Sequence, residues 1–277
     1  MTANPELIAG ELTAGGRVRT FALRMPTGTR GETPLLLALH GNHPEATGLT
    51  MREWTTFDRQ ADAWGVAIGY PDGVGGCWAD GRGVTTADEA GVDDVAFLRA
   101  VIGWSAEHHG TLADRAVVAG ISNGAFMAHR MGTDAGDQVA VIAAVSGGLP
   151  ASLRERRPRH AVSAMLMHGT DDPISPIGGG YSRHRGPNGE LRGRTLSLAE
   201  TAEFWRRTDR CPPGPGDQQR TEHYRRDTAA GGIGGTQVAA WTIFGGGHAW
   251  PAAEFDAAEE ICRFARPLLA PAAARQL

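Results

Sequence analysis

Two kinds of apolar patterning alternate along the chain. Unbroken runs such as Leu35 to Leu39, Val139 to Val145 and Ala164 to Met167 have the length of strands covered on both faces. Arg17 to Met25 alternates in the manner of a half-buried strand, and Val66 to Tyr70 is a strand closed by the turn signal Pro71-Asp72-Gly73. Between the strands the period lengthens. Roughly Leu49 to Trp64 reads as a helix, and from Val92 to His109 the positions Val95, Leu98, Ile102 and Ser105 or Ala106 make one inward stripe that Gly110 ends. Leu198, Ala202 and Trp205 predict a helix closed near Cys211-Pro212-Pro213, Gln237 to Phe244 a last strand, and Asp256 to Leu269 a final amphipathic helix. This alternation predicts an α/β fold with a mainly parallel central sheet and helices on both faces. No break in composition divides the 277 residues, so a single domain over 1–277 is expected. The polar, Gly- and Arg-rich stretch Ile177 to Leu196 reads as a lid or a loose excursion.

The segment Val117-Val118-Ala119-Gly120-Ile121-Ser122-Asn123-Gly124 is a buried strand running into a G-x-S-x-G turn with an Ala/Phe/Met-rich helix behind it. The pentapeptide alone is weak in a chain with 39 glycines; its strand-turn-helix setting is what points to an exposed, reactive serine. A serine hydroxyl needs a base to take its proton, and His248, in Gly245-Gly246-Gly247-His248-Ala249-Trp250-Pro251, is the candidate. Asp172, in His168-Gly169-Thr170-Asp171-Asp172-Pro173, would orient that imidazole; Asp171 competes, and Asp172 is preferred because Pro173 stiffens the loop there. The chain order Ser, Asp, His is that of the α/β-hydrolases. An oxyanion needs two backbone donors: the N–H of Asn123, directly after Ser122, and that of Asn42 in the loop after Leu39, with Gly41 allowing close approach. His40 and His168 precede glycines at strand ends and read as structural. Trp78 and Trp250 flank the site and would stack on an aromatic acyl group or a sugar, with core packing as the other reading.

A formal charge of −4 and a pI near 6.2 give no reason to expect nucleic acid or an anionic membrane as a partner, and favour small or neutral substrates. All 27 basic residues are arginine, and the run Arg154, Arg156, Arg157 and Arg159 reads as solvated surface. Cys77, Cys211 and Cys262 allow at most one bridge; Cys262 shares a helical face with Ala258, Ile261 and Ala265, which leaves Cys77 as the more exposed candidate. His108 and His109 point apart on a helix and no H-E-x-x-H occurs, so no metal is implied. The first residues lack the basic start and apolar core of a secretory signal; the expectation is a cytoplasmic protein, or a secreted one if a signal has been removed.

Taken together, Leu39-His40-Gly41, Trp78-Ala79-Asp80-Gly81-Arg82, Val92-Asp93-Asp94-Val95-Ala96-Phe97-Leu98, Gly120 to Gly124, His168 to Pro173 and Gly246 to Pro251 resemble the polyhydroxybutyrate depolymerase and feruloyl esterase family of α/β-hydrolases over about residues 20 to 265. The resemblance implies an α/β-hydrolase fold and a cofactor-free serine esterase acting through an acyl-enzyme on hydroxyalkanoate, feruloyl or acetyl esters, with Ser122, Asp172 and His248 as the triad. The alternatives are an acyltransferase with the same triad and a non-catalytic binding protein on a hydrolase fold; the intact Ser, Asp, His set argues against the latter. The chain departs from the family pattern in the bulkier Asn42-His43-Pro44 and in the length of the Arg-rich stretch Arg183 to Arg194. One of Arg183, Arg185, Arg192 and Arg194 would hold a carboxylate on a smaller ester.

Overall fold

The computed structural model describes residues 6–28, 32–185, 189, 191–214, 216–253 and 255–269. In chain order the strands are β1 (Ile8–Ala14), β2 (Arg17–Arg24), β3 (Leu35–Leu39), β4 (Ala67–Pro71), β5 (Ala116–Ile121), β6 (Val139–Val145), β7 (Ser163–Gly169), β8 (Gly180–Arg185), β9 (Leu191–Thr195), β10 (Asp217–Arg220), β11 (Tyr224–Ala229) and β12 (Val238–Ile243). The helices are α1 (Gly48–Trp54), α2 (Phe57–Trp64), α3 (Thr86–Glu89), α4 (Asp94–His109), α5 (Asn123–Asp134), α6 (Leu198–Thr208) and α7 (Ala257–Ala265). Ten strands form one sheet in the order β1-β2-β4-β3-β5-β6-β7-β12-β11-β10, while β8 and β9 make a separate hairpin. From β4 through β12 neighbours run parallel; β1, β2, β11 and β10 flank them antiparallel.

Every residue of β3 to β7 is buried, and the two-residue period of a strand divides them between two cores. Leu35, Leu37, Leu39 and Val118 meet α4, α5 and α6; Leu36, Ala38, Val117 and Ala119 meet α1, α2 and α7. Helices therefore cover both faces, and the continuous apolar runs are what a doubly covered parallel sheet requires. Because β3, β5, β7 and β12 are parallel, the loops leaving their carboxyl ends emerge on one edge, which is where ligands bind in open α/β sheets.

Several expectations need correction. The helix expected over Leu49 to Trp64 is two, because Thr55 is extended (φ −126, ψ 167) and the Thr56 hydroxyl donates to Asp256 Oδ2 at 2.5 Å. The stretch expected as a lid or loose excursion contains the β8–β9 hairpin, tied to the fold by a bridge between Pro150 and Thr195; residues 186–188 and 190 lie outside the described ones. Cys77 is buried, not exposed, with its thiol against Val74 O and Thr86 Oγ1; the three cysteines are free. Strands β1, β10 and β11 had no clear apolar signature, since they pair at the sheet margins and β10 is exposed throughout. No helix among the described residues is long and apolar enough to cross a membrane.

Candidate active site

At the end of β5 the backbone turns through Ser122 with φ 55 and ψ −116, a conformation that side-chain-bearing residues rarely adopt. The glycines on either side make the turn possible. A Cβ on Gly120 would lie 2.4 Å from the carbonyl carbon of Gly124, and one on Gly124 would lie 2.3 Å from the Leu39 carbonyl oxygen. Strand β5, helix α5 and strand β3 thus approach at distances only hydrogen allows. Ser122 donates its N–H to Val145 O at 2.9 Å and accepts from Phe126 N–H at 3.0 Å, so the strained residue is held from both sides. It stands at the N-terminus of α5, where unpaired N–H groups give a positive partial charge.

The loops after β7 and β12 are fastened to each other. Asp171 N–H donates to Gly246 O, Thr170 N–H to Ile243 O, and Gly245 N–H to Thr170 Oγ1, all at 2.9 Å. Gly169 has no room for a Cβ, which would lie 2.0 Å from Gly246 O. This fastening brings His248 Nδ1 to 2.8 Å from Asp172 Oδ2. The carboxylate is buried: its Oδ1 accepts from the Ile174 and Ser175 N–H groups, each at 2.8 Å, and His168 Nε2 lies 3.3 Å from Oδ2. Burial by itself would raise the pKa of Asp172, but the hydrogen bonds from His168, His248, Ser175 and Ile174 outweigh it and hold the carboxyl well below the usual carboxylate range. Asp171, the competing acid, is exposed and accepts from the Thr170 hydroxyl. His168 donates through Nε2 to Ser175 O at 2.7 Å and so supports the Asp172 loop.

The loop after β3 is built around buried His40. Gly73 N–H donates to its Nε2, so the ring proton sits on Nδ1 and is donated to Gly41 O at 2.8 Å; burial lowers the pKa of the imidazole, keeping it neutral. Trp78 donates its indole N–H to His40 O at 2.9 Å. The side chain of Asn123, to which the sequence assigned nothing, has three partners: Oδ1 accepts from Trp78 N–H, and Nδ2 donates to Trp78 O and Asp80 Oδ2. Asp94 completes the bracing, accepting from Ala79 N–H and from the buried Arg19 guanidinium, each at 2.7 Å. Short polar residues in the W-A-D-G-R and V-D-D-V segments thus lock the loops beneath the nucleophile.

Ser122, His248, Asn42 and Asn123 all line one cavity of ≈ 580 Å³. No hydrogen bond joins Ser122 to His248 among the described residues; such contacts commonly tighten only when substrate is present. Among the described hydrogen bonds none uses the Asn42 or Asn123 N–H. Neither tryptophan expected to stack on substrate lines the cavity. Trp78 is fully buried with its ring against His40, because its indole is spent holding the loop, and Trp250 packs edge-on against Phe57. Arg82 and Arg192, by contrast, do line it. The place of Arg82 in a motif did not reveal this position, which follows from Asp80 behind it and Phe126 beneath it. No group of three or more His, Cys, Asp or Glu side chains suited to a metal ion occurs among the described residues.

No protein-family model matches the chain. Among solved structures it is similar to acetyl xylan esterase from Aspergillus awamori, with a TM-score of 0.61 and 15% identity, covering 93% of this chain and 100% of that one. It is also similar to the feruloyl esterase module from Clostridium thermocellum complexed with sinapinate, with a TM-score of 0.60 and 11% identity over 96% and 88% of the two chains. At such identities these neighbours speak for the fold. In sequence the chain is 30% identical over 270 residues to NocK of Nocardia uniformis subsp. tsuyamanensis, a protein assigned as an esterase, covering 91% of this chain and 76% of NocK. On the strength of that relative and of the shared architecture, the chain belongs to the NocK family of esterases, carboxylic ester hydrolases of the α/β-hydrolase fold.

Proposed function

We propose that the protein cleaves small carboxylic esters through an acyl-enzyme on Ser122, with 1–277 acting as one catalytic domain. His248 Nε2 takes the hydroxyl proton as Ser122 Oγ attacks the ester carbonyl, and the ionised Asp172 stabilises the imidazolium through Nδ1. The oxyanion collects the N–H groups of Asn42 and Asn123, at the positive end of α5. His248 then protonates the departing alkoxide, and a water deprotonated by the same imidazole releases the acid and restores Ser122.

The observation that carries this reading is the 2.8 Å contact between His248 Nδ1 and the buried Asp172, on loops that open into the cavity lined by Ser122. Acetyl and feruloyl esters, named for the two fold neighbours, and short hydroxyalkanoate esters are the substrates to try first. Hydrolysis of 4-nitrophenyl butyrate should disappear in Ser122→Ala with the fold retained, and a serine-directed phosphonate should add one equivalent of mass at Ser122. Full turnover by the variant, or labelling elsewhere, would refute the assignment.

A further inference from the structure

We propose that the cavity above Ser122 selects esters carrying a carboxylate, which the guanidinium groups of Arg192 and Arg82 hold. This rests on the esterase reading of Ser122 and extends it to the class of substrate. Two arginines, Arg82 and Arg192, line the cavity, and among the described residues no aspartate or glutamate does. In a protein whose formal net charge is −4, two guanidinium groups at one cavity are a local feature rather than general basicity. Nor does it follow from arginine content alone. The groove between residues 154–158 and α6 is also rich in arginine, yet Glu155, Glu200 and Glu203 are interleaved there.

The two guanidinium groups are built differently. Arg82 is backed by Asp80, which it meets through Nε at 3.1 and 3.0 Å and through Nη2 at 2.8 Å, and its guanidinium carbon lies 3.9 Å from the centre of the Phe126 ring. Asp80 is itself fully buried and bonded to Asn123 Nδ2 at 2.6 Å, so the arginine is fixed in place with Nη1 unused among the described residues. Arg192, on β9, spends Nη2 on Val84 O at 2.9 Å and has no carboxylate within ion-pair distance among the described residues. Its remaining donors offer the planar fork that matches a carboxylate. Gly193 sets the two together: at φ 30 its backbone lies so close to Arg82 that a Cβ would meet Arg82 Cδ at 2.7 Å. Of the four hairpin arginines singled out in the sequence, Arg192 lines the cavity, while Arg183, Arg185 and Arg194 are exposed outside it.

Two matched pairs of esters test this: 4-nitrophenyl hemisuccinate against 4-nitrophenyl butyrate, with the carboxylate on the acyl side, and 4-acetoxybenzoate against 4-acetoxybenzamide, with it on the alcohol side. A hydrogen bond to a charged group strengthens binding by about tenfold or more, so kcat/KM should favour the charged member of at least one pair by that factor, chiefly through KM. That ratio should fall about tenfold in Arg192→Gln, survive in part in Arg192→Lys, and shrink as salt is raised. Absence of a preference in both pairs, or a preference unchanged in both Arg192→Gln and Arg82→Gln, would overturn the inference. Turnover of the neutral esters by Ser122→Ala would instead sink the underlying assignment of the nucleophile.

Discussion

Replacing Asp172 by asparagine changes one atom and sets an NH₂ donor against two ring nitrogens, His248 Nδ1 at 2.8 Å and His168 Nε2 at 3.3 Å. Oδ1 can still accept from the Ile174 and Ser175 N–H groups, so the loop should keep its shape. The atom facing His248 Nδ1 at 2.8 Å becomes an NH₂ donor, which favours the tautomer with its proton on Nε2, where it cannot act as base toward Ser122. The charge lost is also large in consequence. With the charge centres of ring and carboxylate about 4 Å apart and an effective dielectric of about 20, the ion pair of the transition state is worth ~4 kcal/mol, or about three powers of ten in rate. With the tautomer penalty added, kcat for 4-nitrophenyl butyrate should fall about 10³- to 10⁴-fold, the upper end matching the same substitution in the chymotrypsin-type triad. Initial rates against the Ser122→Ala background would measure it, and circular dichroism would confirm the fold. Asp171→Asn is the control: its exposed side chain faces Thr170, and activity should stay at the level of the parent protein. A loss below tenfold in Asp172→Asn, or a greater loss in Asp171→Asn, would refute the reasoning.

The lowered pKa of Asp172 also predicts how stability responds to acid. Because the folded carboxyl holds its proton less readily than the unfolded one, its contribution is complete above the ordinary carboxylate value of about 4 and is lost as pH falls below it. Urea midpoints measured between pH 3 and 6 should therefore drop more steeply in the parent protein than in Asp172→Asn; equal slopes would count against the assignment. Gly124→Ala should destabilise the fold by about 1–3 kcal/mol or more and abolish esterase activity, since the methyl would lie 2.3 Å from Leu39 O; a thermal midpoint within a degree of the parent would contradict the close approach. Asn123→Ala strands the buried Trp78 N–H and removes one donor from Asp80, which keeps Arg82, at a cost of about 1–3 kcal/mol in urea unfolding, and a loss well under about 1 kcal/mol would mean that water replaces the amide.

The patterning of apolar residues was enough to establish an α/β fold with a mainly parallel sheet, because a strand buried on both faces must be apolar at every position and a helix on that sheet must carry a stripe. The G-x-S-x-G turn was legible for a related reason: its glycines are where backbone meets backbone, and no other residue fits. What the sequence left open was any choice between neighbours or between burial and exposure. Nothing local says that Asp172 faces inward and Asp171 outward, since that depends on Gly246 and Thr170 fastening loops from two paired strands that are far apart in the chain. Trp78 and Arg82 show the same limit. Four residues apart in one segment, a tryptophan that was expected to meet substrate is committed to His40 beneath the surface, and an arginine is held at the cavity by Asp80 and Phe126. Local sequence determines which element forms and which face is apolar, through short-range sterics and periodicity. Which polar group reaches the cavity was decided only in the tertiary structure, because it depends on hydrogen bonds between loops far apart in the chain.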